Sequence, residues 1–195
     1  MSLDAASYFK HLRAYLFSDY IIDDGSSGKV ALKEKYFLAG ETKKRTRRVE
    51  LPFQGEAFAI KLDGMPSRLF HFLDDNGKPW SKRCDFIVFQ CHRRAINAYL
   101  FEFKTKSLDP SSIIDQLKAG ERWCACLRKV IHQYTGDDRK LRLRKFVCSE
   151  NDNPAAFLDA AGQYLARDPS IRHHHCDALV GLTLDQLDNS SIRTV

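Results

Sequence analysis

The sequence predicts an α/β fold with a central mixed β-sheet flanked by helices. Residues 83–105 have the pattern of two apolar strands around a polar loop, a long helical pattern begins at Asp109, and residues 140–148 return to a strand pattern. With 195 residues and 44% apolar composition, the chain is long enough for one substantial hydrophobic core. We therefore expect a single domain over residues 1–195, with its core at about 66–150.

The N-terminal third is expected to hold one helix followed by strands. Residues Leu3–Phe17 carry apolar positions at helical spacing and predict an amphipathic helix. Residues 23–65 are interpreted as a β-rich elaboration of the core, with turn residues at 23–28. Within this elaboration, residues 30–38 are expected to form a helix or a strand, and residues 47–53 and 57–62 are expected to form strands. A further strand at 68–73 and a turn at 74–79 that contains Asn-Gly are expected after it.

The hairpin at the centre of the chain is the most informative stretch. Its strands, Arg83–Gln90 and Ala98–Thr105, are rich in aromatic and branched side chains and flank a loop at Arg93 and Arg94. Both faces of the strands are apolar, which indicates a sheet covered on two sides. Charged residues within such strands therefore need a partner or a metal ion.

Three ionisable residues interrupt these strands. Side chains alternate along a strand, so Glu102 and Lys104 share a face, and a turn at the loop places Asp85 opposite Glu102. Two carboxylates this close repel each other unless a cation lies between them, and Mg²⁺ favours such oxygen ligands. Lys104 would then reach the metal-bound water or the charge on a substrate. The alternative without a metal ion is an exposed cross-strand ion pair on a half-solvated sheet.

The motif Cys84-Asp85-Phe86-Ile87-Val88, followed by Leu100-Phe101-Glu102-Phe103-Lys104, resembles the core motif of the PD-(D/E)xK nuclease superfamily. The resemblance implies a restriction-endonuclease-like αβββαβ core and a metal-dependent phosphodiesterase. Asp85, Glu102 and the carbonyl of Phe103 would hold Mg²⁺, or Mn²⁺ in its place, and Lys104 would be the catalytic lysine. Cys84 stands where many members have Pro, and Glu56 is the nearest candidate for the acid that many carry on the first helix.

The helix after the hairpin is expected to start with Asp109 as N-cap and Pro110 at its first position, and to run to about Tyr134. Gly120 falls on its apolar stripe, where a missing side chain would allow close approach to the sheet. Gln116 lies early on this helix, where the resemblance implies a polar residue, often Gln. It is a candidate auxiliary catalytic residue, with a surface amide as the alternative.

The remaining chain, residues 151–195, is expected to form a C-terminal helix and strand. Asn153-Pro154 opens a helix pattern that runs to about Arg167, where Asp168-Pro169 ends it. Residues 176–184 are interpreted as a last strand, and the final ten residues as weakly ordered.

The chain carries a formal charge of +6, concentrated in a few basic stretches. Charge runs are commonly solvated faces, but around an acidic core they favour contacts with nucleic-acid phosphates, most simply of DNA. The candidate nucleic-acid-binding residues are Lys43, Lys44, Arg45, Arg47, Arg48, Arg93, Arg94, Arg142 and Arg144.

The cysteines and the absence of a long apolar run bear on location. Six cysteines without a secretion signal favour reduced thiols in a cytoplasmic protein, and no stretch of the sequence predicts a membrane span. An alternative is a zinc site formed by Cys124, Cys126 and the run His173-His174-His175-Cys176. The sequence has no Cys-x-x-Cys pair that would support it.

Two function classes follow from these observations. The first is a metal-dependent nuclease, for which cutting both strands of a duplex would favour a homodimer. The second is a catalytically inactive nuclease-fold protein that acts as a nucleic-acid-binding or structural subunit of a larger assembly. Convergence of Asp85, Glu102 and Lys104 on one open pocket would favour the first.

Overall fold

The structure is a computed structural model that describes residues 3–37, 42–62, 81–105 and 108–195. Its described part contains two α-helices and ten strands. The helices are α1 (Ala5–Ala14) and α2 (Pro110–Thr135). The strands are β1 (Ile21–Asp23), β2 (Lys29–Tyr36), β3 (Arg45–Pro52), β4 (Glu56–Lys61), β5 (Phe86–His92), β6 (Ala95–Lys104), β7 (Leu141–Ser149), β8 (Tyr164–Leu165), β9 (Asp168–His175) and β10 (Arg193–Thr194).

A mixed sheet of eight strands forms the centre of the described part, as the sequence predicts for an α/β fold. Its order is β1-β4-β5-β6-β7-β9-β8, and β10 pairs with β7. Strands β4, β5 and β6 are antiparallel neighbours, whereas β6, β7 and β9 run parallel. Strands β2 and β3 pair with each other as a separate antiparallel sheet. We call this two-stranded sheet the β2–β3 ribbon.

The N-terminal expectations are partly revised. Residues 30–38, for which the sequence predicts either a helix or a strand, contain most of strand β2. Strands β3 and β4 lie at the two strands predicted next. However, β4 belongs to the large sheet, where it is the antiparallel neighbour of β5, although its residues fall in the segment interpreted as an elaboration. The predicted strand at 68–73 and the Asn76-Gly77 turn lie outside the described residues.

The large sheet is covered on both faces, as the apolar strands predict. On one face, α1 and α2 pack against side chains such as Ile87, Phe89 and Leu100. On the other face, the β2–β3 ribbon and the segment 176–187 pack against side chains such as Val88 and Phe101. Burial on both faces explains why the central strands are apolar almost throughout.

Helix α2 has the bounds that its capping residues predict. The Asp109 carboxylate accepts a hydrogen bond from the backbone N–H of Ser111, and the helix ends at Gly136, which has a φ of 72°. Gly120 lies against the sheet, where a Cβ atom would stand 2.6 Å from the Cys84 Sγ and 2.8 Å from the Leu100 Cδ2. The absence of a side chain thus brings α2 close to the strands that carry Asp85 and Glu102, as predicted.

The predicted C-terminal helix at 153–167 is wrong. A short 3-10 helix, Pro154–Phe157, is followed by a turn in which the Asp159 carboxylate accepts hydrogen bonds from the N–H groups of Gln163 and Tyr164. Leu158 pairs with Leu165 across this turn, so apolar residues at helical spacing are used in a tight hairpin instead. An Asp side chain that binds nearby backbone N–H groups competes with helix formation.

The expected final strand is also wrong, and the last residues, interpreted as weakly ordered, take part in the large sheet. Residues 168–175 form strand β9, whereas residues 176–184, interpreted as a strand, begin with the 3-10 helix Cys176–Leu179. The last residues pair with β7, and Val195 exchanges backbone hydrogen bonds with Leu141. Pairing with the free start of β7 orders this end of the chain. Within the described residues, no helix has the length and apolar character that a membrane span requires.

Candidate active site

The end of the β5–β6 hairpin away from its turn brings Asp85, Glu102 and Lys104 close together. Phe86 pairs with Phe101, so the same register places Asp85, the residue before β5, opposite Glu102, as the sequence predicts. Alternation from Ala98 and Leu100 places Glu102 and Lys104 on the face that α2 covers. Asp85 precedes the strand, and its position is set by its hydrogen bond to the backbone of β6.

Lys104 is held between the sheet and α2. Its Nζ lies 2.6 Å from Oε1 of Glu102 and 3.0 Å from Oε1 of Gln116. The hydroxyl of Ser112, one turn earlier on α2, donates to the same Gln116 oxygen at 3.2 Å. Gln116 is therefore in contact with the lysine, and the surface-amide alternative does not describe it.

The two carboxylates are buried. Asp85 is 7% exposed and Glu102 is 1% exposed. The backbone N–H of Phe103 donates to Oδ2 of Asp85 at 2.6 Å, which ties the Asp85 side chain to the adjacent strand. The alternative of an exposed cross-strand ion pair is therefore wrong, although Lys104 and Glu102 do form an ion pair.

The negative charge of this site acts on the neighbouring Cys84. Burial, together with the nearby Glu102 and Asp85 carboxylates, raises the pKa of the Cys84 thiol well above its ordinary value. Cys84 therefore stays a neutral thiol, and its packing against Gly120 is its structural role.

Lys104 opens onto a cavity of about 380 Å³ between the large sheet and the β2–β3 ribbon. Of the predicted trio, Lys104 lines this cavity, whereas Asp85 and Glu102 lie behind it. The lining residues are Glu34, Tyr36, Arg47, Phe103, Lys104, Thr105, Asp109 and Ser112. The cavity thus presents two cations and two aromatic rings together with the carboxylates of Glu34 and Asp109.

Arg47 is the member of the predicted basic set that reaches this cavity. Its guanidinium lies 4.7 Å from the centroid of the Tyr36 ring and forms an ion pair with Glu150. Burial opposes the charge of Arg47, but the hydrogen bond with Glu150 and the nearby Cys176, Glu150 and Tyr36 side chains together raise the pKa of Arg47 above its ordinary value. Arg47 is thus a fixed positive charge beside Lys104.

The other predicted nucleic-acid-binding residues occupy two different places. Lys43, Lys44, Arg45 and Arg48 are exposed along or beside β3. Arg93, Arg94, Arg142 and Arg144 cluster at the turn of the β5–β6 hairpin and the start of β7.

The second group is far from the carboxylates. Arg94 and Glu102 are eight positions apart along the hairpin strand, which corresponds to roughly 26 Å at 3.3 Å per residue. The expectation that all the basic stretches surround the acidic core is therefore wrong. The turn residues Arg93 and Arg94 adopt φ values of 48° and 65°, as a tight hairpin turn requires, and both side chains are exposed.

Several of the side chains considered as metal ligands lie apart from one another. No group of three or more His, Cys, Asp or Glu side chains suited to a metal ion occurs in the described ranges. Glu56 pairs with Cys91 at the turn end of β5 and so lies away from Asp85. Cys124 is buried and Cys126 exposed on α2, which separates the two thiols considered as zinc ligands.

Two further polar features lie near the site and were missed from the sequence. Glu34 of the ribbon lines the cavity, and its carboxylate binds Lys61 Nζ at 2.7 Å. Ser149, which pairs with Lys104 across the parallel strands, has its Oγ 2.9 Å from Nε2 of His173. Local patterning gives no signal for either feature, because each depends on which strands become neighbours.

Comparison with protein-family models, with curated proteins and with solved structures finds no match for this chain. The resemblance to the PD-(D/E)xK superfamily therefore rests on the hairpin residues themselves.

Proposed function

We propose that this chain is a metal-dependent nuclease that hydrolyses phosphodiester bonds of nucleic acid, with DNA as the first substrate to test. The observation that carries the proposal is the joining of Glu102, Lys104 and Gln116 by hydrogen bonds, with the Asp85 carboxylate bound to the backbone of Phe103 between Glu102 and Lys104. This is the residue set that the PD-(D/E)xK resemblance implies, on the elements that it implies.

The order of elements supports the same proposal. Among the described residues, helix α1, strands β4, β5 and β6, helix α2 and strand β7 occur in an αβββαβ order, with β1 and the ribbon inserted after α1. A restriction-endonuclease-like core is part of the proposal, and β2 and β3 would be an elaboration beside its site.

Asp85 and Glu102 are the residues that would hold Mg²⁺ or Mn²⁺, together with the Phe103 carbonyl that the resemblance implies. Two buried carboxylates at the same end of the hairpin offer the oxygen ligands that a hard cation prefers, so the chemistry of the donor set fits. When bound, such an ion lowers the pKa of a coordinated water and neutralises phosphate charge.

The chain's own cations would act on the substrate from the cavity. Lys104 would donate to a non-bridging oxygen of the scissile phosphate and stabilise the added charge of the pentavalent transition state. Gln116 would keep the ammonium group aimed at that oxygen, because its Oε1 accepts from Lys104 Nζ. Arg47 would contact an adjacent phosphate, since it lines the same cavity.

Cleavage of labelled plasmid and single-stranded DNA in Mg²⁺ or Mn²⁺, beside EDTA, tests the proposal. Wild-type protein should cut with metal and not in EDTA, and Lys104→Met should reduce the rate at least about 100-fold. Lys82→Met is the matched control, because Lys82 is an exposed lysine paired with Asp115 at the protein surface. Metal-independent cutting, or cutting that Lys104→Met leaves unchanged, would contradict this site.

One observation favours the second candidate, a non-cleaving nuclease-fold protein that binds nucleic acid or supports a larger assembly. Glu102 is held by Lys104, and neither Asp85 nor Glu102 lines the cavity, so the three residues do not all open onto one pocket. This candidate predicts salt-sensitive binding of DNA in EDTA and no cutting under any metal condition. The same assays therefore separate the two candidates.

A further inference from the structure

We propose that the outward face of the β2–β3 ribbon binds single-stranded nucleic acid and delivers it to the Lys104 cavity. This inference deepens the proposed function by naming its substrate class. The outward face consists of alternate residues on the two strands, and all of them are exposed. They are Lys33, Lys35 and Phe37 on and after β2, and Lys44, Thr46 and Arg48 before and on β3.

The ribbon has a buried side and a charged side. Leu32 and Val49 pair across the strands and are buried against the large sheet, so their neighbours in sequence point outward. The neighbouring pair is Lys33 and Arg48, two cations directly opposite each other. Like charges in directly opposed positions destabilise a β-ribbon.

The acids of the ribbon leave much of this charge uncompensated. Glu50 forms ion pairs with Arg48 and Lys29, while Glu34 lies on the inner side with Lys61. Lys33 and Lys35 form no ion pair with another residue in the described ranges. An anionic polymer lying along the ribbon would supply the missing negative charge and so offset the repulsion between the opposed cations.

Phe37 indicates which form of nucleic acid fits. Its side chain is 52% exposed, and the Lys44 Nζ lies 5.2 Å from the centroid of its ring. An exposed aromatic ring among cations is the arrangement that binds single strands, because the ring stacks on an unpaired base while the cations contact phosphates. Bases within a duplex are already stacked on each other and do not offer a face to the ring.

The ribbon also leads to the active-site cavity. Tyr36 precedes Phe37 and lies on the inner side, where it lines the cavity with Arg47, Phe103 and Lys104. The cavity volume, about 380 Å³, falls in the range of pockets that hold one small ligand, so the cavity is too small to enclose a duplex. A single strand bound through Phe37 would therefore reach Lys104 one nucleotide at a time.

Fluorescence anisotropy with a labelled single-stranded oligonucleotide in EDTA tests this inference without any cleavage. The double variant Lys33→Ser, Lys35→Ser should weaken binding at least about tenfold and lower the slope of log Kd against log salt by roughly 1.4, at 0.7 per lost phosphate contact. Phe37→Ser should weaken single-strand binding at least about fivefold, leave the salt slope unchanged and have no effect on a duplex of the same sequence.

Matched controls distinguish this face from general charge. The double variant Lys118→Ser, Lys129→Ser removes two exposed lysines from α2, and Phe17→Ser removes an aromatic ring that is 67% exposed beyond α1. Both should bind like wild type. Ribbon variants that bind like wild type, or tighter binding of duplex than of single strand, would overturn the inference.

The outcomes also separate this inference from the proposed function. A protein that binds single strands through the ribbon and cuts nothing in Mg²⁺ or Mn²⁺ would overturn the nuclease and leave the ribbon site in place. A protein that cuts with metal while the ribbon variants keep full binding would overturn the ribbon site and leave the nuclease proposal in place.

Discussion

The ammonium of Lys104 lies 2.6 Å from the carboxylate of Glu102, whose side chain is 1% exposed, whereas that of Lys104 is 22% exposed. The pair therefore joins a buried anion to a cation at the edge of a cavity. Such a pair has two consequences that mutation can separate, because the lysine both balances a buried charge and lines the cavity in which the proposed substrate would bind.

Removing one member of this pair should cost stability. Lys104→Met leaves Glu102 buried without its ammonium partner, and we expect the free energy of unfolding to fall by about 2–4 kcal/mol in urea titrations. The double variant Lys104→Met, Glu102→Gln removes both charges and should recover most of that loss. Nuclease activity should stay absent in both variants. Recovery of activity with stability would show that the loss in Lys104→Met came from unfolding.

Gly120→Ala should destabilise the protein although alanine favours a helix. The new Cβ would stand 2.6 Å from the Cys84 Sγ, so α2 or the hairpin must shift. We expect a net loss of about 1–3 kcal/mol, since overpacking outweighs the gain of roughly 1 kcal/mol in helix propensity. The added change Cys84→Ala should relieve part of the loss. Stabilisation by Gly120→Ala alone would mean that α2 does not approach the sheet this closely.

The stability of the fold should decrease as the pH falls below about 6.5. Burial, reinforced by the charges of Arg172 and His173, lowers the pKa of His174 from 6.5 to about 4. Between these values the unfolded chain binds a proton that the folded chain does not, so stability is complete above 6.5 and is lost as the pH falls toward 4.

Urea titrations between pH 7.5 and 4.5 measure this loss, which we expect to be about 1–3 kcal/mol from His174. Burial also lowers the pKa of His173, with the same sign of effect. His174→Gln should flatten the pH dependence, whereas His132→Gln, on the exposed side of α2, should not. An unchanged slope in His174→Gln would contradict the assignment.

The six cysteines should differ sharply in reactivity toward a thiol reagent at neutral pH. Cys126 is exposed on α2, whereas Cys91 is half-buried and Cys84, Cys124, Cys148 and Cys176 are buried, and burial raises the pKa of each of these five thiols. Because the thiolate reacts, we expect one rapid modification in the folded protein and six after unfolding. Cys126→Ser should abolish the rapid phase, and its persistence would show that another thiol is accessible.

The helices and central strands were largely predictable because their signals are local. The N-cap and proline at 109 and 110 set the start of α2, and alternating or continuous apolar residues set β5, β6 and β7. The segment 153–167 shows where such signals fail. It carries a helix start and apolar spacing, yet the Asp159 carboxylate captures nearby backbone N–H groups and folds the segment into a turn.

The sequence by itself determined that Glu102 and Lys104 share a face and that the hairpin register brings Asp85 opposite Glu102, because side-chain alternation and a tight turn are properties of a short stretch of chain. Only the tertiary structure decided that the β2–β3 ribbon brings Glu34 and Arg47 to Lys104, and that Arg94 and Arg142 lie at the opposite end of the sheet. Those positions depend on which strands become neighbours. Strand pairing across tens of residues is set by the packing of the whole core, for which no local pattern is a sufficient guide.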